Sequence, residues 1–194
     1  MRDWTDDQAA PGPAREGIRR GTENAVRMVV LGIDPGLANC GFGVVVRRGH
    51  RLFAADGGVI ETPARVAPER RLALLHERVA GLLEEHEPDS VALEALYFGQ
   101  NVRTAFAVGQ ARGAVMLAAG QRGVACIDYT PQQVKGAVCG AGRADKAQVA
   151  RMVQALLSLP EPPRPDHAAD ALAVAICHAN HAPLAAVAVA GVVS

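Results

Sequence analysis

Four positions in this 194-residue chain hold ionisable side chains where the surrounding pattern demands a chemical reason. Asp34 closes the apolar run Val29-Val30-Leu31-Gly32-Ile33 and is followed at once by Pro35-Gly36. Glu94 closes a second apolar run, Ser90-Val91-Ala92-Leu93, and His167 and Asp170 stand three apart in the first turn of a helix predicted over 166–180. A carboxylate at the exit of a buried strand is costly unless a cation or a set of hydrogen bonds compensates it. The competing reading is ordinary: Asp before Pro-Gly is turn chemistry, and acids are common in first helical turns. Gathered together, three carboxylates and an imidazole make an oxygen-rich site for Mg²⁺ or Mn²⁺, and the lack of cysteine at these positions argues against structural zinc. Two such ions can hold a phosphate between an attacking water and a leaving oxygen, so the chemistry to expect is phosphodiester hydrolysis.

Convergence of these residues depends on the elements that carry them. After the first strand, residues 40–46 and 51–61 read as strands of an antiparallel meander. The period then changes: Pro68 suits the first position of a helix, and Leu72, Leu75, Val79, Leu82 and Leu83 form a stripe that Pro88 ends. Residues 90–94 and 124–128 read as short strands, and 102–121 as a helix whose Gly109 and Gly113 suit close approach of another backbone, within the fold or at a dimer face. Thr130 can cap a short helix that opens at Pro131 and bears Lys135; a further helix over 144–157 presents Asp145 and Lys146 in its first turn. The proline-rich segment 160–165 is a rigid loop leading into the last helix. A meander followed by alternating helices and strands is an α/β layer, in which strand C-termini and helix N-termini share one edge.

Length and composition fit one folded unit: 49% of residues are hydrophobic and 21% charged, which excludes a largely disordered chain. Formal net charge is zero, yet residues 95–151 carry seven basic side chains against two acids, a local surplus suited to phosphates. The four cysteines are widely spaced with no CxxC pair, and no signal-peptide pattern opens the sequence, which predicts reduced thiols and a cytoplasmic location. The apolar tail, 182–194, contains Pro183 and falls short of the about 20 residues that cross a bilayer, so no membrane association is expected. Residues 1–27 lack apolar periodicity and predict a disordered extension, with Met28 a candidate for the true start.

The strings GIDPG (32–36), ALEALYFGQN (92–101), GQARG (109–113), QVKGAVCGAGRADKAQV (133–149) and DHAADALAVAICH (166–178) follow one another in an order that resembles the RuvC family of Holliday-junction resolvases, over residues 28–181. The resemblance implies an RNase H-like fold with a mixed five-stranded sheet flanked by helices. It further implies a homodimer that uses Mg²⁺, two ions per site with Mn²⁺ as a substitute, to make paired nicks in strands of like polarity in a four-way DNA junction. The branch-migration proteins RuvA and RuvB are the implied partners. By position, Asp34, Glu94, His167 and Asp170 form the catalytic metal site. Family members carry aspartate or histidine where this chain has His167, which leaves open whether His167 meets an ion or the attacking water. Asp166, turned about 100° around the helix, is not counted in the set. Lys135 and Lys146, the only lysines of the sequence, match family lysines near the DNA. Arg103 and Arg143 belong to the same basic surplus, and Tyr97 matches an aromatic position that meets bases at the junction centre.

Two other uses of such a core fit less well. A nucleotide-binding protein of the actin and sugar-kinase type needs a second, related half, for which this chain has neither room nor repeat. A junction-binding module without catalysis would be expected to lose some of the acids.

Overall fold

Five strands form one mixed sheet in the order β3-β2-β1-β4-β5. The computed structural model describes residues 27–95 and 102–182, and the side chains of these apart from 102–104. Tyr97, the extension to residue 26, the tail from 183 and the side chain of Arg103 therefore lie outside the described residues. β1 (Arg27–Asp34), β2 (Asn39–Arg48) and β3 (Arg51–Glu61) make the antiparallel meander, and β4 (Ser90–Glu94) and β5 (Ala125–Tyr129) add on in parallel beyond β1. This is the sheet that the family resemblance implies.

β1 is apolar without interruption from Met28 to Ile33 apart from Gly32, because helices cover both of its faces. Alternation along the strand sorts its side chains into two cores. Val29, Leu31 and Ile33 pack with Leu75, Val79 and Leu83 of α1 (Pro68–His86) and with Ala111 and Val115 of α2 (Val102–Gly120). Met28 and Val30 face α3 (Pro131–Cys139), α4 (Lys146–Leu157) and α5 (Asp166–His181), where Val134, Val153, Leu172 and Ile176 complete the second core.

α5 is the most deeply buried helix, and the sheet makes room for it by lacking side chains. A Cβ built on Gly32 would overlap the Ala171 carbonyl oxygen, one on Gly41 the His167 carbonyl oxygen, and one on Gly43 the Leu172 side chain. These glycines lie together, since Gly32 pairs with Gly43 and Asp34 with Gly41 across β1 and β2. The close-approach glycines are thus on the strands, whereas a Cβ on Gly113 of α2 would meet open space.

Helix starts differ from the expectation at one place. Asp145 is the N-cap of α4 and accepts a hydrogen bond from the Gln148 N–H at 2.7 Å, so it stands just outside the helix. A carboxylate satisfies a free N–H better from the cap than from within the first turn. Thr130 and Gln133 close a reciprocal capping box on α3, as Thr130 and Pro131 predict. At the far end of α5, His178 is buried with its two ring nitrogens 2.8 Å from Ser90 Oγ and 2.8 Å from Tyr129 Oη. That network ties α5 to β4 and β5, and burial holds the imidazole below its usual pKa. Among the described residues no helix is long and apolar enough to cross a membrane.

Because backbone atoms occupy the space beside Gly32, Gly32→Ala should lower unfolding free energy by about 2–3 kcal/mol or more. Gly81→Ala, on the solvent face of α1 with nothing near its added methyl, should raise it by about 0.8 kcal/mol. Urea unfolding of both variants checks this, and equal effects would contradict the close seating of α5.

Candidate active site

Parallel pairing of β1 and β4 sets Ile33 beside Leu93, so the next residues, Asp34 and Glu94, leave the sheet at the same edge. Asp34 falls on the face that carries Val30 and Gly32, toward α5. The missing side chain at Gly41, its cross-strand neighbour, lets the first turn of α5 come down beside it. His167 Nδ1 then lies 2.8 Å from Asp34 Oδ2. Asp170, one turn along, faces the same cleft of about 380 Å³, together with Lys135 of α3 and Lys146 of α4. Val134, Val149 and Ala173 give this cleft an apolar floor.

The acids repel one another here. Burial, then the nearby charges of Asp34 and Asp170, push the Glu94 carboxyl up to about 7, and a hydrogen bond to Asp34 keeps its proton in place. Asp170 is also raised, burial outweighing the help it has from Lys146. The Lys146 Nζ stands 3.5 Å from Asp170 Oδ2 and 3.9 Å from Asp166 Oδ2, and Asp170 in turn raises the lysine's pKa. Both contacts are long, and the ammonium is mostly exposed, so it offsets the acids only in part. A carboxylate can only accept, hence His167 donates from Nδ1 to Asp34.

Among the described residues no three His, Cys, Asp or Glu side chains close on one point as a finished ion cage. The donor set nonetheless fits a hard divalent cation. Three carboxylates and one imidazole line a partly buried cleft in which protons and the Lys146 ammonium offset the crowded negative charge only in part.

Of the residues singled out in the sequence, the fold brings six to this cleft: Asp34, Glu94, His167, Asp170, Lys135 and Lys146. Arg143 is exposed in the loop before α4 and does not line it, nor does Asp166, whose side chain is 80% exposed. Gly41 and Gly32 contribute by absence; glycine inside a strand was the only signal for them, and it reads equally well as a bulge or a bend.

Known proteins resemble this chain in sequence and in fold. The family model described as "Crossover junction endodeoxyribonuclease RuvC" matches residues 30–178. The crossover junction endodeoxyribonuclease RuvC of Thermomicrobium roseum is 56% identical over 151 residues, 78% of this chain and 92% of its own. That of Desulfitobacterium hafniense is 51% identical over 153 residues, 79% of this chain and 93% of its own. The solved structure "T. thermophilus RuvC in complex with Holliday junction substrate" aligns with a TM-score of 0.75 at 43% identity, over 78% of this chain and 93% of that one.

Crowding of the acids has a measurable sign. A carboxyl whose folded pKa is raised from 4.5 to about 7 stabilises the fold fully below its unfolded pKa and loses that contribution as pH rises through the folded value. In EDTA at about pH 8, Glu94→Gln should therefore be more stable than the parent by about 1–3 kcal/mol, the difference vanishing toward about pH 4.5. Added Mg²⁺ should reverse the order. Thermal unfolding across pH reads this out, and a Gln variant no more stable in EDTA would contradict the crowding.

Proposed function

The chain belongs to the RuvC family, and on that premise we propose that it is a Holliday-junction resolvase, hydrolysing phosphodiester bonds of a four-way DNA junction with two symmetric nicks in strands of like polarity. One observation carries the reading: Asp34, Glu94, His167 and Asp170, from three separate elements, line a single cleft that also holds both lysines of the sequence. Asp34, Glu94 and Asp170 would hold Mg²⁺, two ions per site with Mn²⁺ able to replace them. When bound, the ions supply Lewis acidity to the scissile phosphate and lower the pKa of the attacking water.

The remaining chemistry belongs to the chain. Asp34 accepts from His167 Nδ1, which fixes the imidazole at the wall of the cleft. Lys146, held loosely by Asp170, is free to exchange that carboxylate for a phosphate oxygen, and Lys135 of α3 offers a second ammonium to the same cleft. The apolar floor of Val134, Val149 and Ala173 limits water to the reacting face. Arg103 and Arg143 would meet more distant phosphates, and Tyr97, three residues beyond Glu94, would stack on a base at the junction centre.

A junction has twofold-related scissile phosphates, so a twofold homodimer presents one site to each. The outer face of α2 supports this assembly: Phe106, Met116 and Leu117 are 69%, 44% and 56% exposed, an apolar stripe beside Gly109 and Gly113 that is unpartnered among the described residues. The expected setting is the cytoplasm, with RuvA and RuvB as branch-migration partners and a nuclease unit spanning residues 28–181.

On a synthetic mobile four-way junction the protein should nick in Mg²⁺ and only bind in EDTA. Asp34→Asn should bind as the parent does and lose nicking by on the order of 10³-fold. Binding with no metal-dependent nicking by the parent would instead identify a non-catalytic junction binder. For the assembly, Phe106→Asp combined with Leu117→Asp should halve the mass seen by light scattering; an unchanged mass would place the dimer face elsewhere.

A further inference from the structure

Beside the catalytic cleft lies a second, wider groove of about 830 Å³ that no step above uses. One wall is a face of α4, with Ala147, Ala150 and Arg151 at helical spacing; the other is the proline segment around Arg164. His167 lines both this groove and the cleft, so the two are continuous at the first turn of α5. Arg151 and Arg164 are exposed, and among the described residues neither is within ion-pair distance of a carboxylate. The acid on the rim, Asp166, is already beside Lys146. Apart from Asp166 and His167 where it meets the cleft, the groove is lined by alanine, proline and these two guanidiniums, whose planar forks suit phosphate oxygens. Proline fixes φ along the segment that carries Arg164, so little conformational freedom remains to be lost on contact.

We propose that this groove seats the sugar–phosphate backbone of a DNA arm leaving the cleft, with Arg151 and Arg164 gripping successive phosphates. It is a positioning surface: by holding the arm it sets where the strand crosses Asp34 and His167. The inference rests on the reading that the chain acts on DNA junctions, and it names residues and a path that the reading itself does not supply.

The test uses the full chain and a four-way junction in EDTA, with affinity measured over a series of salt concentrations. Arg151→Ala combined with Arg164→Ala should weaken binding about 10-fold and reduce the slope of log affinity against log salt by about one per arginine engaged. The loss should be the same for junctions of different sequence, and the double change to lysine should recover most of it. A control pair on α1, which packs on the other face of the sheet, Arg70→Ala with Arg78→Ala, should leave both quantities unchanged. An alanine pair that binds within about twofold of the parent, with the parent's salt slope, would overturn the proposal, as would a lysine pair no better than alanine. Because affinity is read without metal, a parent that binds but never nicks counts against the enzymatic reading alone, and a parent that nicks while the alanine pair binds normally counts against the groove alone.

Discussion

Everything at the site depends on how closely α5 approaches the backbone of β1 and β2. Where most sheets hold a helix off by a layer of side chains, Gly32, Gly41 and Gly43 remove that layer along one strip, and two carbonyls and the Leu172 side chain of α5 occupy the space. His167 thereby reaches Asp34, although the two are 133 residues apart in sequence. A conventional layer of valines would shift the helix outward and take His167 and Asp170 out of the cleft.

The same contact explains why the site is electrostatically poor as a folded object and good as a reactive one. Two parallel strands deliver carboxylates to one edge, and the helix adds a third from above. Nothing among the described residues fully neutralises them, so Glu94 retains a proton to about 7 and Lys146 is drawn toward Asp170. Stability given up at a functional cleft is a common exchange, and here its form is specific: negative charge that a divalent cation or a phosphate-bearing lysine can relieve.

Much of this could be read from residue types. Asp34 and Glu94 stand out because a strand pattern ends on an acid twice, and the His167–Asp170 spacing marks one helical face. Pro68, Thr130 and Pro131 place helix starts for local reasons that tertiary contacts do not override. What the sequence hides is long-range register. Nothing local says that Asp34 faces Gly41, that Ser90 and Tyr129 share His178 across 88 and 49 residues, or that strand glycines rather than those of α2 accommodate the close helix. Asp145 illustrates the local limit: an acid near a helix start fits the cap or the first turn equally well until the Gln148 N–H is seen to choose. The groove beside the cleft is a tertiary object, since Arg151 and Arg164 belong to different segments whose proximity only the fold determines.

If acids from distant segments truly act as one ion site, removing any of them should empty it. The direct measurement is Mn²⁺ titration of the full chain, followed by electron paramagnetic resonance, for the parent, Asp34→Asn on β1 and Asp170→Asn on α5. A single site predicts uptake by the parent and its loss in both variants with the circular dichroism spectrum unchanged. Parent-like uptake by either folded variant, or none by the parent, would show that the strand and the helix do not build a shared centre.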